Sequence, residues 1–152
     1  MLRRVVTEVV DGRSRVAIDG AAAEGWIAEL WVTTPESPYG VDPAQVEAAL
    51  EPPAGGTRFR IATLPPDAVM RAALAEQATA GVDAHGVHAT TTVDYVYILD
   101  GPVELELDEG SVMLQPGDCV VQRGTRHAWR NRNDTPIRLL TVMVSAARNG
   151  GR

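Results

Sequence analysis

Three consecutive segments determine the expected fold: HGVHATTTVDYVYILDG (residues 85–101), VELELDEGSVMLQPGDCVVQRGT (103–125) and RHAWRN (126–131). Together they contain all three histidines of the chain. Short β-prone segments alternate here with tight turns, such as Gln115-Pro116-Gly117-Asp118. Many short strands, with a turn roughly every six to ten residues, are typical of an all-β jelly-roll barrel.

Side-chain parity places the polar residues of these segments on shared faces. In a β-strand, residues of equal parity point to the same face. If the first segment is one continuous strand, its even face carries polar groups before it becomes apolar: His88, Thr90, Thr92, Asp94, Val96 and Ile98. The third segment places His127, Trp129 and Asn131 on one face. A polar row that runs into an apolar face predicts a site near the mouth of a barrel.

Two inward-facing histidines and one carboxylate form the centre of this candidate site. Hairpins between the strands would bring His88, Asp94 and His127 together, and such a set recurs as ligands of divalent transition metals, here iron, manganese, nickel or zinc. In a metal-free site, a histidine would act as general acid and base, Asp94 would orient it, and Thr90 and Thr92 would donate hydrogen bonds to a substrate. The residues alone leave both alternatives open.

The first segment resembles the first motif of the cupin superfamily. His88 matches the first histidine of that motif, Asp94 stands where the motif carries glutamate, and Gly101 closes the motif. Thr90 takes the place of the second histidine, so the resemblance does not carry over the three-histidine, one-glutamate metal shell as a whole. His85, three residues upstream of His88 and at odd parity, is a candidate substitute from a loop.

The later segments resemble the second cupin motif. Gln122 replaces a proline, and four other motif positions match: Gly117, Gly124, His127 and Asn131. The resemblance covers about residues 81–145 and implies a double-stranded β-helix, or jelly-roll barrel, with one or two short helices. Small cupins of this pattern are found beside natural-product and catabolic pathways and include lyases, isomerases and cyclases, some without metal. A lyase or isomerase is therefore expected, with an iron dioxygenase or a non-catalytic ligand-binding protein as alternatives.

Eight residues make up the candidate site. The catalytic group, which is also the candidate metal set, is His88, Asp94 and His127. The candidate substrate contacts share their faces or lie in the adjacent loop: Thr90, Thr92, Trp129, Asn131 and His85. Three arginines near His127 have the opposite parity, which favours a solvated outer face over an anchor for an anionic substrate: Arg126, Arg130 and Arg132.

Composition and charge limit the other function classes. The chain has a net charge of −6, and all 14 of its basic residues are arginine, without a basic run. This pattern argues against nucleic-acid binding. No apolar run approaches the roughly 18 residues of a membrane span, so no membrane contact is expected. The single cysteine, Cys119, allows no internal disulfide and is expected to be buried, and a cytoplasmic location follows as the expectation.

The 152 residues suit one domain of four parts. These are an N-terminal strand arm, a connector with a short helix, the barrel and a tail: residues 1–33, 34–56, 57–146 and 147–152. In the connector, Asp42 is expected to cap a helix that runs to about Leu50. Cupins commonly dimerise by exchanging such arms, so a homodimer is expected, with Trp26 and Trp31 in its core or its interface.

Two further elements precede the first motif. In a predicted strand, Phe59 and Ile61 share one face, while Arg58 and Arg60 point the other way. After it, Asp67 is expected to cap an alanine-rich helix, AVMRAALAEQATA. The helix is either a lid over the barrel mouth or a surface insertion.

Overall fold

The computed structural model describes residues 1–146, in which ten β-strands, one α-helix and one 3-10 helix form. The strands are β1 (Arg3–Val10), β2 (Arg13–Ala21), β3 (Ile27–Thr33), β4 (Thr57–Leu64), β5 (Thr92–Ile98), β6 (Val103–Leu107), β7 (Gly110–Leu114), β8 (Cys119–Arg123), β9 (His127–Arg130) and β10 (Ile137–Ser145). The helices are a 3-10 turn at Pro43–Gln45 and α1 at Asp67–Glu76. The all-β class with short helices is confirmed. The expected tail, 147–152, lies outside the described residues.

The strands form three antiparallel sheets. β1 and β2 make a hairpin, the larger sheet has the order β3-β4-β10-β5-β8, and the smaller sheet has the order β7-β6-β9. An apolar core lies between the two larger layers and is contributed by strands of both: Val96, Ile98, Val103, Leu105, Leu114, Ile137 and Leu139. The two layers are not hydrogen-bonded into a closed barrel within the described part of the chain, but they face each other as in a jelly roll.

β5 confirms the expected alternation of side chains. Asp94, Val96 and Ile98 are buried, whereas Tyr95 and Tyr97 on the opposite face are exposed. The strand is shorter than expected, since it begins at Thr92 rather than near the first motif histidine. His88 and Thr90 precede the strand, but their side chains lie on the same side as its buried face.

β4 reverses the usual distribution of charged and apolar side chains. Arg58 and Arg60 are only 2% and 4% exposed, whereas Phe59 between them is 36% exposed. The carboxylate of Glu29 on the neighbouring β3 forms an ion pair with each guanidinium group, at 3.5 Å from Arg58 and 2.6 Å from Arg60. The same guanidinium groups also donate to main-chain carbonyls of residues 47–51. Two charges are therefore buried with one carboxylate and four carbonyl partners, as burial of charge requires.

The expected connector helix is limited to one 3-10 turn. Asp42 caps this turn as expected, because its side chain accepts the N–H of Ala44 at 2.9 Å. From Val46 onwards, the chain does not continue as a helix. The arginines of β4 bind four main-chain carbonyls of the segment that follows, those of Glu47, Ala49, Leu50 and Glu51.

α1 forms where an alanine-rich helix is expected, but Asp67 is not its N-cap. The cap position is Pro66, without a side-chain hydrogen bond. The Asp67 carboxylate instead accepts the backbone N–H of Asn131 at 2.9 Å, and the Asp67 N–H donates to the Asn131 carbonyl at 3.0 Å. These two bonds fix the start of α1 to the end of β9. Within residues 1–146, no helix has the length and apolar character needed to span a membrane.

The hairpin of β1 and β2 turns at Asp11-Gly12, which both adopt positive φ angles of 50° and 73°. Such angles favour Gly and tolerate Asp, and they suit a tight hairpin turn. Near the base of the hairpin, Leu2 and Ala22 pack around Ile61 on the outer face of the larger sheet. The expected N-terminal strands are therefore present.

The rest of that outer face is apolar and partly exposed. One row of directly opposed residues crosses all five strands: Trp31, Phe59, Val142, Tyr95 and Val121. Tyr95 and Val121 are 54% and 57% exposed. Cys119 lies on the same face, opposite Tyr97, and is exposed. This corrects the expectation of a buried cysteine: Cys119 points outwards like Val121, while Val120 between them packs against the core.

Candidate functional site

A cavity of about 930 Å³ lies against the inner face of the larger sheet. Five of the eight expected site residues line it: His85, His88, Asp94, His127 and Trp129. The remaining walls come from β4, β8, β10, the loop before His88 and one side of α1. The size and the mixed polar and apolar lining suit a small organic molecule.

The two motif histidines are direct neighbours in this cavity. His88 and His127 form an isolated antiparallel bridge, and their ring centroids are 4.3 Å apart with a tilt of 56°. The Nδ1 of His88 lies 3.1 Å from the carbonyl of Gly86, and the Nδ1 of His127 lies 2.8 Å from the carbonyl of Thr125. A carbonyl can only accept, so Nδ1 carries the proton in both neutral rings and Nε2 keeps its lone pair.

Local backbone geometry positions the two rings. Gly86, with φ +79°, turns the loop that leads into His88. The side chain of Asp83 accepts the backbone N–H groups of His85 and Val87, each at 2.8 Å, and closes the same loop. Gly124, with φ +63°, lets the turn before β9 approach closely, since a Cβ there would lie 3.1 Å from the carbonyl oxygen of Thr90. The motif glycine is therefore required by packing next to the site.

Burial determines the charge of His127. Its side chain is 3% exposed. This burial lowers the pKa of His127 from 6.5 to about 4, and the hydrogen bond to the Thr125 carbonyl only partly opposes the shift. Trp129 packs edge-on against the ring, with centroids 6.0 Å apart, and contributes to its desolvation. His127 is therefore neutral near pH 7.

Asp94 ends a chain of hydroxyl groups that begins at Thr90. The hydroxyls of Thr90 and Thr92 are 2.6 Å apart, and that of Thr92 donates to Asp94 Oδ1 at 2.5 Å. Burial raises the pKa of Asp94, opposed by this hydrogen bond and by the positive charge of Arg60. The two threonines lie behind Asp94 rather than in the cavity lining. Their hydroxyls therefore orient the carboxyl group instead of facing a ligand directly.

The expected metal set does not come together as one group. Of the residues that the structure describes, no three His, Cys, Asp or Glu side chains are placed to hold a metal ion jointly. The Nε2 lone pairs of His88 and His127 suit a metal, with each Nδ1 bound to a carbonyl as in many metal sites. Asp94, the expected third ligand, does not complete the set. The described side chains therefore do not supply the expected set of three metal ligands.

Asn131 serves the scaffold. It is 1% exposed, and its amide nitrogen donates to the carbonyls of Leu64 and Thr135, each at 2.9 Å. Its amide oxygen accepts the N–H of Asn133 at 3.0 Å. Because these partners use both ends of the amide, the expected role of Asn131 as a substrate contact has no support in its geometry.

The three arginines in and next to β9 line the cavity instead of facing only solvent: Arg126, Arg130 and Arg132. Arg130 pairs with Glu106 at 2.8 Å and also donates to the carbonyl of His85, which holds the exposed His85 at the mouth. The other two arginines also form ion pairs: Arg126 with Asp108, and Arg132 with Glu104. Acidic partners thus bind all three arginines, which weakens the alternative of an anion anchor at the rim.

Several cavity residues escaped the sequence analysis. Arg60 and Gln122 line the cavity although each is 4% exposed. Trp26, expected in a core or an interface, is 53% exposed and lies in the cavity wall. α1 contributes four residues to the cavity wall: Met70, Ala73, Leu74 and Gln77. The alternation of side chains in β4 could have predicted the position of Arg60, because it placed Arg58 and Arg60 on the face of the strand opposite to Phe59.

Comparisons with known proteins agree with this architecture. The family model of the cupin domain matches residues 73–143. The chain is 52% identical over 50 residues to phomopsin biosynthesis cluster protein D of Diaporthe leptostromiformis, and 45% identical over 61 residues to oryzines biosynthesis cluster protein J of Aspergillus oryzae. It is 34% identical over 62 residues to the cupin-domain-containing oxidoreductase fogC of Aspergillus ruber. These alignments cover 32–39% of this chain and only 26–34% of the relatives.

A solved structure extends the similarity beyond the matched motifs. The cupin domain of Cnp3 from Schizosaccharomyces pombe superposes with a TM-score of 0.51, over 94% of this chain and 87% of that one, at 9% sequence identity. Together with the facing antiparallel sheets, this defines a jelly-roll protein built around an internal cavity. Residues 73–143 match the cupin domain, and the chain has the cupin fold.

Proposed function

We propose that this cupin is a small-molecule enzyme, a lyase or isomerase that moves protons within its cavity. The observation that supports it most is the facing pair of His88 and His127, each fixed through Nδ1 with its Nε2 lone pair available. Positioned proton transfer in a desolvated pocket is sufficient for dehydration, decarboxylation, tautomerisation or cyclisation. The relatives from natural-product biosynthesis clusters support a secondary metabolite as the substrate.

The two histidines would have different roles. Burial disfavours the imidazolium form of His127, so His127 is assigned the role of a neutral hydrogen-bond acceptor and His88 that of the group that moves the proton. In an isomerisation, His88 Nε2 removes a proton from one substrate atom and returns it to another. In a dehydration, the same proton leaves with the departing hydroxyl as water. Neutral His127 accepts a hydrogen bond from a substrate N–H or O–H and orients the reacting group.

An oxidoreductase is the second candidate. It is supported by the names of three relatives, the cupin-domain-containing oxidoreductases fogC, srdD and srdB. His88 and His127 would hold an iron ion or another divalent metal through Nε2, and the metal would supply oxygen activation. Elemental analysis of untagged protein and its His127→Ala variant separates the candidates. Near-stoichiometric metal that is lost in the variant favours the oxidoreductase.

The proposed activity is tested by exposing the protein to small-molecule extracts. Extracts are incubated with the wild type, with His88→Gln and with the matched surface control Gln115→Leu, and are then compared by mass spectrometry. We expect a compound that the wild type and Gln115→Leu convert to an isomer, a dehydrated product or a decarboxylated product, and that His88→Gln leaves unchanged. A compound that is bound but returned unaltered by all three proteins would instead favour a binding protein.

We also propose that the chain works as a homodimer. The hairpin of β1 and β2 pairs with no other strand of the described chain, and an isolated two-stranded hairpin is marginally stable in water. Three of its valines are 49–71% exposed: Val5, Val9 and Val16. The outer face of the larger sheet exposes a second apolar surface: Phe59, Tyr95, Tyr97 and Val121. A second copy of the chain would cover both surfaces, which accounts for two apolar patches on one acidic molecule.

A further inference from the structure

We propose that Gln122 binds an anionic oxygen of the substrate beside Asp94, which makes small organic anions with an apolar body the ligand class of this cavity. The inference rests on the proposed function, since it places a substrate in the same cavity. It also assigns a role to a residue that departs from the resembled second motif, where a proline would offer no side-chain donor.

The amide of Gln122 is a buried donor without a partner. The residue is 4% exposed and lines the cavity, and its Nε2 finds no hydrogen-bond acceptor in the described part of the chain. Buried amide N–H groups are nearly always paired, because leaving one unpaired forfeits its hydration without replacement. A ligand oxygen in the cavity would supply the missing acceptor.

The strand register places this donor next to the candidate catalytic carboxyl group. Gln122 on β8 is directly opposite Asp94 on β5. Directly opposed side chains in an antiparallel ladder have Cβ atoms about 4.5–5.5 Å apart. Thr92 already binds one carboxyl oxygen of Asp94. The Gln122 amide therefore lies beside a carboxyl group that a hydrogen bond already holds in place.

The charges near this position favour an anion over a neutral group. Arg60 is buried, lines the same cavity and has an unpartnered Nε, while its terminal nitrogens bind main-chain carbonyls and Glu29. Arg60 Nε and Gln122 Nε2 are therefore two buried donors in the wall of one cavity, each without an acceptor. A negatively charged ligand oxygen is the acceptor that such donors bind most strongly.

The remaining cavity walls indicate that the rest of the ligand is apolar. Aromatic and aliphatic side chains line the same cavity: Trp26, Met70, Leu74, Trp129, Leu139 and Met143. The anionic oxygen is either a carboxylate of the ground state or an enolate that develops during proton transfer. A donor such as Gln122 would stabilise both, and in the second case it would act on the transition state.

Two matched probe pairs test the proposal without the natural substrate. The first pair is 3-phenylpropanoate and 3-phenylpropanamide, for a carboxylate; the second is 4-nitrophenolate and 4-nitroanisole, for an enolate-like oxygen. Binding is measured by calorimetry, and the Gln122 side-chain amide and the Arg60 Nε–H are followed by NMR. We expect at least one anion to bind about tenfold more tightly than its neutral partner, as for a charge-assisted hydrogen bond, and to shift the Gln122 amide resonance.

Gln122→Leu and Gln115→Leu are the matched variants. Gln122→Leu keeps a side chain of similar size and removes an amide whose nitrogen is unpartnered, so the fold is expected to persist. In this variant the anion and its neutral partner should bind with nearly equal affinity. Gln115→Leu, on an exposed turn, should keep the full preference.

Three outcomes would overturn the proposal: neither anion binds, each anion binds no better than its neutral partner, or the preference survives in Gln122→Leu. These results are distinguishable from a failure of the proposed function. If extracts are never converted but the anion preference depends on Gln122, the subsite stands and the chain is a binding protein. If conversion occurs without any dependence on Gln122, the enzyme stands and the subsite is wrong.

Discussion

His88 and His127 are joined by their backbones as well as by their rings. Each donates its N–H to the carbonyl of the other at 2.9 Å, so the two imidazoles leave the same short ladder in the same direction. The separation of 4.3 Å between ring centroids therefore follows from this isolated backbone bridge between β9 and the segment before β5. Two backbone hydrogen bonds thus fix the relative position of the two rings.

Replacing either imidazole should remove most of the activity and leave the fold intact. We expect His88→Gln and His127→Gln to lower the turnover of the compound identified in extracts by about 10²–10⁴-fold, the usual contribution of a positioned acid or base. The measurement is the initial rate of product formation, with circular dichroism to confirm folding. Full activity in both variants would show that the site is misassigned.

The buried His127 should make the protein less stable below neutral pH. Its pKa is about 4 in the folded chain and 6.5 when unfolded, so the unfolded state binds more protons between these values. The contribution to the free energy of unfolding is complete above about pH 6.5 and is lost as the pH falls towards 4. Between pH 7 and pH 5 the loss should be about 2 kcal/mol. Urea unfolding at both pH values measures it.

His127→Asn and His85→Asn are the comparison variants for this pH dependence. His127→Asn should lack the loss, because no titrating group remains at that position. His85→Asn removes an exposed imidazole and should keep the wild-type dependence. Equal pH dependence in all three proteins would contradict the burial of His127.

The buried charges of β4 should depend on Glu29. In Glu29→Gln, Arg58 and Arg60 would lose their shared carboxylate while 2% and 4% exposed. Breaking a buried ion pair leaves an uncompensated charge, so the free energy of unfolding should fall by about 3 kcal/mol. Chemical denaturation measures the change. Asp19→Asn, which breaks an exposed pair with Arg3, should have a much smaller effect.

The proposed homodimer predicts which surface valine matters. Val121 and Val112 are both strand residues, 57% and 47% exposed, but they lie on different sheets. We expect Val121→Glu to convert a dimer to a monomer, since it places charge in the apolar outer face, and Val112→Glu to leave the dimer unchanged. Light scattering coupled to size-exclusion chromatography gives the masses. A monomeric wild type would refute the dimer.

Asn131 should contribute to stability and not to ligand affinity. Asn131→Ala leaves the carbonyls of Leu64 and Thr135 without their donor, and we expect a loss of about 3 kcal/mol in the free energy of unfolding. Probe binding at a temperature where the variant is folded should match the wild type. Asp134→Ala, an exposed change in the same turn, is the control. Weaker probe binding with unchanged stability would restore the role of a substrate contact.

The sequence predicted those parts of the site that depend on local alternation. The buried face of β5 follows from the parity of neighbouring residues, and the hairpin turn follows from the turn chemistry of Asp11-Gly12. Such signals are independent of distant partners. The same parity predicted that His88 and Asp94 share a face, and both line the cavity.

The errors arose where distant groups compensate a local preference. Arg58 and Arg60 look like surface residues until Glu29 and the carbonyls of the connector are placed beside them. Asp67 has the sequence of an N-cap, but the backbone of Asn131 competes for its carboxylate. In both cases the deciding partner is separated along the chain, by 64 residues for Asp67, and no local pattern encodes it.

The hydrogen bonds from Arg58 and Arg60 to the connector limit which mutations this protein can accumulate during evolution. Their guanidinium groups bind main-chain oxygens of 47–51, which every amino acid supplies. The attachment is therefore indifferent to side-chain identity but sensitive to length, since an inserted or deleted residue moves the oxygens out of reach. Descendants of this sequence are free to drift in composition along the connector, while the number of residues between Pro43 and β4 stays fixed.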